Sequence, residues 1–107
     1  MNEKEFVACW RIEKESLVDL FTDSSAKTIA GQKIQSLNLS DKQQVIMREI
    51  VDSILTDTFY TLLLGLDGEA SIGGVQQTYK ISDEMGNVIS NCGEIEAEAF
   101  NQFQEEN

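Results

Sequence analysis

At 107 residues, 41% hydrophobic and 25% charged, the chain has room for one modest core and too much apolar content for wholesale disorder, so a single domain over residues 1–107 is expected. Nineteen Asp and Glu against eight Lys and Arg give a formal charge of -11, and there is no histidine. Ser-His-Asp and Cys-His catalysis and histidine-bearing zinc or iron sites are therefore excluded.

In chain order, Phe6, Cys9, Trp10, Leu17, Leu20 and Phe21 suit one face of a first helix, with Glu13 as the polar intruder. Ala26, Ile29, Ala30, Ile34 and Leu37 suit a second, weakened by Gly31 in its interior. The strongest stripe follows, in which Met47, Ile50, Val51, Ile54, Leu55, Phe59, Leu62, Leu63 and Leu66 recur at helical spacing, widened near its end by Tyr60 and Leu64. Ser40 with Gln43 forms a capping-box pair before it, and Gly65 or Gly68 can end it in the left-handed conformation. A helix over about 41–65 is predicted, roughly 38 Å long at 1.5 Å per residue. It is the expected backbone of the core.

Beyond the glycines the period becomes two. Val75, Tyr79 and Ile81 alternate with Gln76, Thr78, Lys80 and Ser82, "DEMGN" turns the chain, and "VIS" begins a return strand, which together predict a β-hairpin. The tail returns to helical spacing through Ile95, Ala99 and Phe103, with Ser90 or Asn91 as the cap and acids in the first turn, where the helix dipole favours them. The expected fold class is α+β, mainly helical, with a long central helix followed by a hairpin and a C-terminal helix. A lone hairpin is marginal in water, so it must lie on the helices or pair with another copy. Its edge, or an exposed part of the leucine stripe, would serve a homodimer.

"GLDGEASIGG" is not a phosphate cradle, because it follows a helix and enters a strand, whereas both nucleotide fingerprints follow a strand and open a helix. Gly73 and Gly74 instead suit a tight or bulged start to the strand. Asp67 with Glu69, and Asp83 with Glu84, flank the hairpin, but a one-core domain offers little room for a sugar-holding cleft. With Asn87 these acids are calcium ligands in type, yet "DEMGN" lacks the alternating spacing of an EF-hand loop. Turn chemistry and solvation account for them, so no catalytic, cofactor-binding or metal-binding residue is expected.

The start, "MNEKEFVACW", is acidic where a signal peptide is basic and then apolar, and "FYTLLLGL" falls far short of the roughly 18 apolar residues of a spanning helix. A cytoplasmic location is expected. There Cys9 and Cys92 should stay reduced, as buried small hydrophobes, and two thiols are too few for an all-thiolate metal site in one chain.

Charge is divided unevenly. Residues 1–48 hold seven acids and seven bases, while residues 49–107 hold twelve acids against Lys80 alone. Such a surface repels nucleic acid and anionic membrane, which are bound through neutralising bases, and it attracts a basic protein. The alternative is that the acids serve solubility only. The expected contact residues are Asp67, Glu69, Asp83, Glu84, Glu94, Glu96 and Glu98, with Tyr79 either an aromatic anchor or a core residue.

The segment "DTFYTLLLGLDGEASIGGVQQTYKISDEMGNVIS", followed by "GEIEAEAF", resembles small bacterial domains of the immunity-protein kind from toxin systems. The resemblance covers roughly the second half of the chain and carries no catalytic or binding motif with it. It implies a small acidic cytosolic protein that binds and neutralises a toxin. The functional expectation is a non-enzymatic immunity-type inhibitor of a basic toxin. The alternative is a small carboxylate- or metal-dependent hydrolase using the same acids around Gly68 and Gly86.

Overall fold

The computed structural model describes residues 1–25, 27–90 and 93–105. Its elements are α1 (Glu3–Thr22), α2 (Ile29–Ser36), α3 (Asp41–Leu66) and α4 (Glu94–Ala99), the last running on as a π-helical turn over Phe100–Glu105. Among the described residues there is no strand, so the fold is all-helical and the expected α+β class is corrected.

Local chemistry sets the helix limits. At the start of α1, Asn2 Oδ1 accepts the Glu5 N–H at 2.9 Å and Glu5 Oε1 accepts the Asn2 N–H at 3.3 Å, a reciprocal cap that uses two otherwise orphaned donors. The expected pair before α3 forms in the same way, with Ser40 N–H on Gln43 Oε1 at 2.9 Å and Gln43 N–H on Ser40 Oγ at 3.3 Å. The end of α3 is a Schellman motif: Gly68, at φ 79°, donates to Gly65 O at 3.1 Å, and Glu69 donates to Leu64 O at 3.0 Å. Gly65 itself stays helical and buried, and because a Cβ there would collide with the Ile72 side chain, glycine is what admits that side chain. The second helix starts later than its apolar pattern implied. Thr28 caps it through Gly31 N–H at 2.9 Å, and Ile29 and Ala30 are exposed while Gly31 is buried. Ala26, assigned to that apolar face, lies outside the described residues.

The chain divides into two compact units, one of Met1–Arg11 with Asp57–Asn107 and one of Ile12–Thr56. The core of the first is Val7, Leu63, Ile95, Ala99 and Phe103, all essentially without solvent exposure. Trp10 links Phe6 and Phe59 through edge-on contacts with centroids 6.0 and 5.5 Å apart, and Phe59 continues to Phe103 at 6.3 Å, separations at which ring quadrupoles attract. In the second unit Val18 is buried beside Lys14, whose side chain is only 3% exposed. The Lys14 ammonium meets Asp52 at 2.7 Å and Glu15 at 2.9 Å. Burial opposes that charge, but the two carboxylates outweigh it and raise the amine above its ordinary range. Arg48 bonds Asp19 and, at 3.1 Å, the Thr22 hydroxyl.

The helical faces differ from the apolar pattern in two places. On α1 the buried line is Val7, Lys14 and Val18, while Leu20 is exposed, as is Cys9 with a free thiol, correcting its expected burial; Cys92 lies outside the described residues. On α3 the stripe is covered only in part: Leu63 is buried, whereas Ile50, Ile54 and Leu62 are 46%, 57% and 40% exposed.

The expected hairpin reduces to isolated pairings. Ile72 and Val75 exchange backbone hydrogen bonds at 2.9 and 3.1 Å across Gly73 and Gly74, both at positive φ, as a two-residue turn of the mirror-image type requires. A second bridge joins Ser82 to Val88, beside Asp83 N–H on Asn87 O at 2.9 Å and Ile89 N–H on Ile81 O at 2.8 Å. No ladder grows from it, because the Ile81 N–H turns to the Ser90 side chain at 2.8 Å. The alternation survives as burial only: Tyr79 and Ile81 are half-buried, Thr78, Lys80 and Ser82 exposed. Val75 is exposed as well.

Candidate functional site

Asp67 follows the last residue of α3 within the Schellman turn, is 6% exposed, and aims its carboxylate at the first turn of α4. Gly93, the residue before α4, has a φ of 82° and no side chain to cap with. Ser90 does not fill that place as expected, since its hydroxyl serves Ile81; the other expected cap, Asn91, lies outside the described residues. Asp67 supplies the missing cap, its Oδ2 accepting the Glu96 N–H at 3.0 Å. A carboxylate at a helix N-terminus also meets the positive end of the dipole. Its second oxygen, Oδ1, is buried and accepts no hydrogen bond among the described residues.

Around this corner the structure gathers three of the expected contact residues. One carboxylate oxygen each from Asp67, Glu69 and Glu96 lie within 4.8 Å of one another, Glu69 exposed and Glu96 half-buried. Beside them, Asp67, Thr78, Tyr79, Lys80, Val88 and Ser90 line an open recess of about 380 Å³.

The other expected residues take different places. Asp83 is held by its own turn: Oδ1 accepts Met85 and Asn87 N–H at 3.0 and 2.9 Å, and Oδ2 accepts Asn87 Nδ2 at 3.2 Å and the Met1 ammonium at 3.0 Å. The bond from the Met1 amine, with those from Asn87, holds the carboxyl down at about 2. Glu84 and Glu94 are exposed. Glu98 is half-buried and accepts from Gln102 at 3.3 Å. Gln102, which nothing in the sequence singled out, is buried and also donates to Lys4 O at 3.3 Å. Only its position four residues after Glu98 hinted at a pairing.

Among the described residues, no helix is long and apolar enough to cross a membrane. The chain matches no protein-family model, no curated protein and no solved structure.

Proposed function

We propose that the chain is a non-enzymatic protein-binding module of the cytoplasm, of the immunity type, whose partner is a basic protein such as a toxin. One observation carries the reading: within the Ile12–Thr56 unit, α3 holds Ile46, Ile50 and Ile54 at four-residue spacing with exposures of 55%, 46% and 57%. Apolar side chains in a row along a helix are the usual anchors of helix-mediated recognition. Charge selects the partner, since Glu69, Glu84 and Glu94 face solvent and Lys80 is the lone base of residues 49–107. Such a field speeds the approach of a basic protein.

The test is binding kinetics against a basic protein encoded by an adjacent gene. Ile50→Asp should speed dissociation, and Glu69→Lys with Glu84→Lys should slow association, while Glu3→Lys with Glu15→Lys in the charge-balanced half should change little. Equal effects of the two double substitutions would show that net charge alone matters and remove the site. A metal-dependent hydrolase is the second reading, favoured by the convergence of Asp67, Glu69 and Glu96. Turnover of a chromogenic phosphodiester or glycoside with added metal, lost in Glu69→Gln, would establish it instead.

A further inference from the structure

We propose that Asp67, Glu69 and Glu96 bind a hard divalent cation of the calcium type. Two independent observations meet at this corner. The three carboxylate oxygens lie within 4.8 Å of one another, close enough for one ion to draw all three in to ligand distances of about 2.3–2.6 Å, whereas magnesium demands a tighter, near-ideal octahedron at about 2.0–2.1 Å. Separately, Asp67 is 6% exposed and its Oδ1 is buried with no hydrogen-bond partner among the described residues. A buried carboxylate oxygen left unpaired is costly, and a bound cation removes that cost.

Within Asp67, Oδ2 is engaged by the Glu96 N–H at 3.0 Å, so the oxygen whose bonding capacity is unused is Oδ1. The ligand set is all oxygen, with neither imidazole nor thiolate among the three, which selects calcium and manganese over zinc or copper. The adjoining open recess of about 380 Å³ has room for the waters that complete the coordination sphere. Lys80 lines that recess and is the local competitor for the same negative charge. A bound ion would join the end of α3 to the first turn of α4.

The experiment is calorimetric titration of the full chain, first freed of metal with a chelator, with calcium chloride at physiological ionic strength, and in parallel with magnesium and manganese chlorides. Weak calcium sites have dissociation constants of about 10⁻⁴–10⁻³ M, so the titration runs to about 10 mM. The expected result is one saturable calcium site with magnesium binding more weakly. Removing a ligand charge by Glu69→Gln should weaken it at least about tenfold, and Glu84→Gln, outside the corner, should change it less than about twofold. Asp67→Asn keeps an oxygen for the cap and should also abolish binding; Glu69→Gln alters an exposed side chain and carries the test if Asp67→Asn does not fold. No saturable heat with any of the three ions, or equal losses in Glu69→Gln and Glu84→Gln, would overturn the site. Binding that appears only in Lys80→Met would show that the lysine, not a cation, serves these carboxylates.

Discussion

Asp67 Oδ2 accepts the backbone N–H of Glu96 at 3.0 Å, so the residue just past the end of one helix caps the first turn of another 29 positions along the chain. The arrangement follows from two glycines: Gly68 turns the chain out of α3, and Gly93 leaves α4 with no cap of its own. Asp67→Ala should therefore destabilise the protein by about 1–3 kcal/mol, more than an ordinary exposed acid. Asp67→Asn, which keeps an acceptor, should recover part of that loss. Urea denaturation of the three proteins at one pH checks the order.

Neighbouring leucines on α3 separate buried from exposed parts of the stripe. Leu63 is fully buried and Leu62 is 40% exposed. Leu63→Ala should cost about 2–5 kcal/mol through lost burial and the cavity left behind. Leu62→Ala should cost about 1 kcal/mol. Similar denaturation midpoints for the two variants would contradict the packing of the first unit.

Lys14 is the buried cation of the second unit. Removing it by Lys14→Ala takes away a packed aliphatic stem and leaves Asp52 and Glu15 without their partner. The expected loss is about 1–3 kcal/mol, moderated because Asp52 is half-exposed and can rehydrate. A double-mutant cycle with Asp52→Asn should show coupling, and additive losses would mean that only the stem matters.

The contact between the Met1 amine and Asp83 sets a pH dependence with two limbs. Asp83 is depressed from 3.8 to about 2, chiefly by the hydrogen bond from that amine. Its contribution is complete above 3.8 and is lost as pH falls through about 2. The amine is raised above 8.0 by the same bond, so its share is complete below 8.0 and is lost as pH rises through the raised value. Acetylating the amine should return the Asp83 carboxyl towards its ordinary range, as followed by NMR titration. An unmoved titration would show that Asn87 alone holds it.

The start of α3 was legible because its cap is local, and its end was narrowed to Gly65 or Gly68, whereas the equally local Asn2–Glu5 and Thr28 caps went unread. Ser40 and Gln43 are three residues apart and satisfy each other's backbone N–H groups, and Gly68 ends α3 by a conformation that glycine alone adopts at no cost. The sequence by itself thus determined a long helix over about 41–65, against Asp41–Leu66 observed, the exclusion of histidine chemistry and the gathering of charge in the second half. The stripe did not say which part is covered: Ile50 and Ile54 are as apolar as Leu63 and are exposed, while Leu63 meets Val7, Ile95 and Phe103 in a closed core. The tertiary structure alone decided three matters. Residues 75–90 alternate like a strand but form isolated bridges, because a ladder needs a continuous partner backbone and the Ile81 N–H finds the Ser90 side chain instead. Lys14 became a buried cation because Asp52, 38 residues away, reaches it from α3. Asp67, Glu69 and Glu96 became one corner because packing of α4 against Leu63 and Val7 brings its first turn to the end of α3. Such meetings depend on burial between distant segments, which no local period encodes.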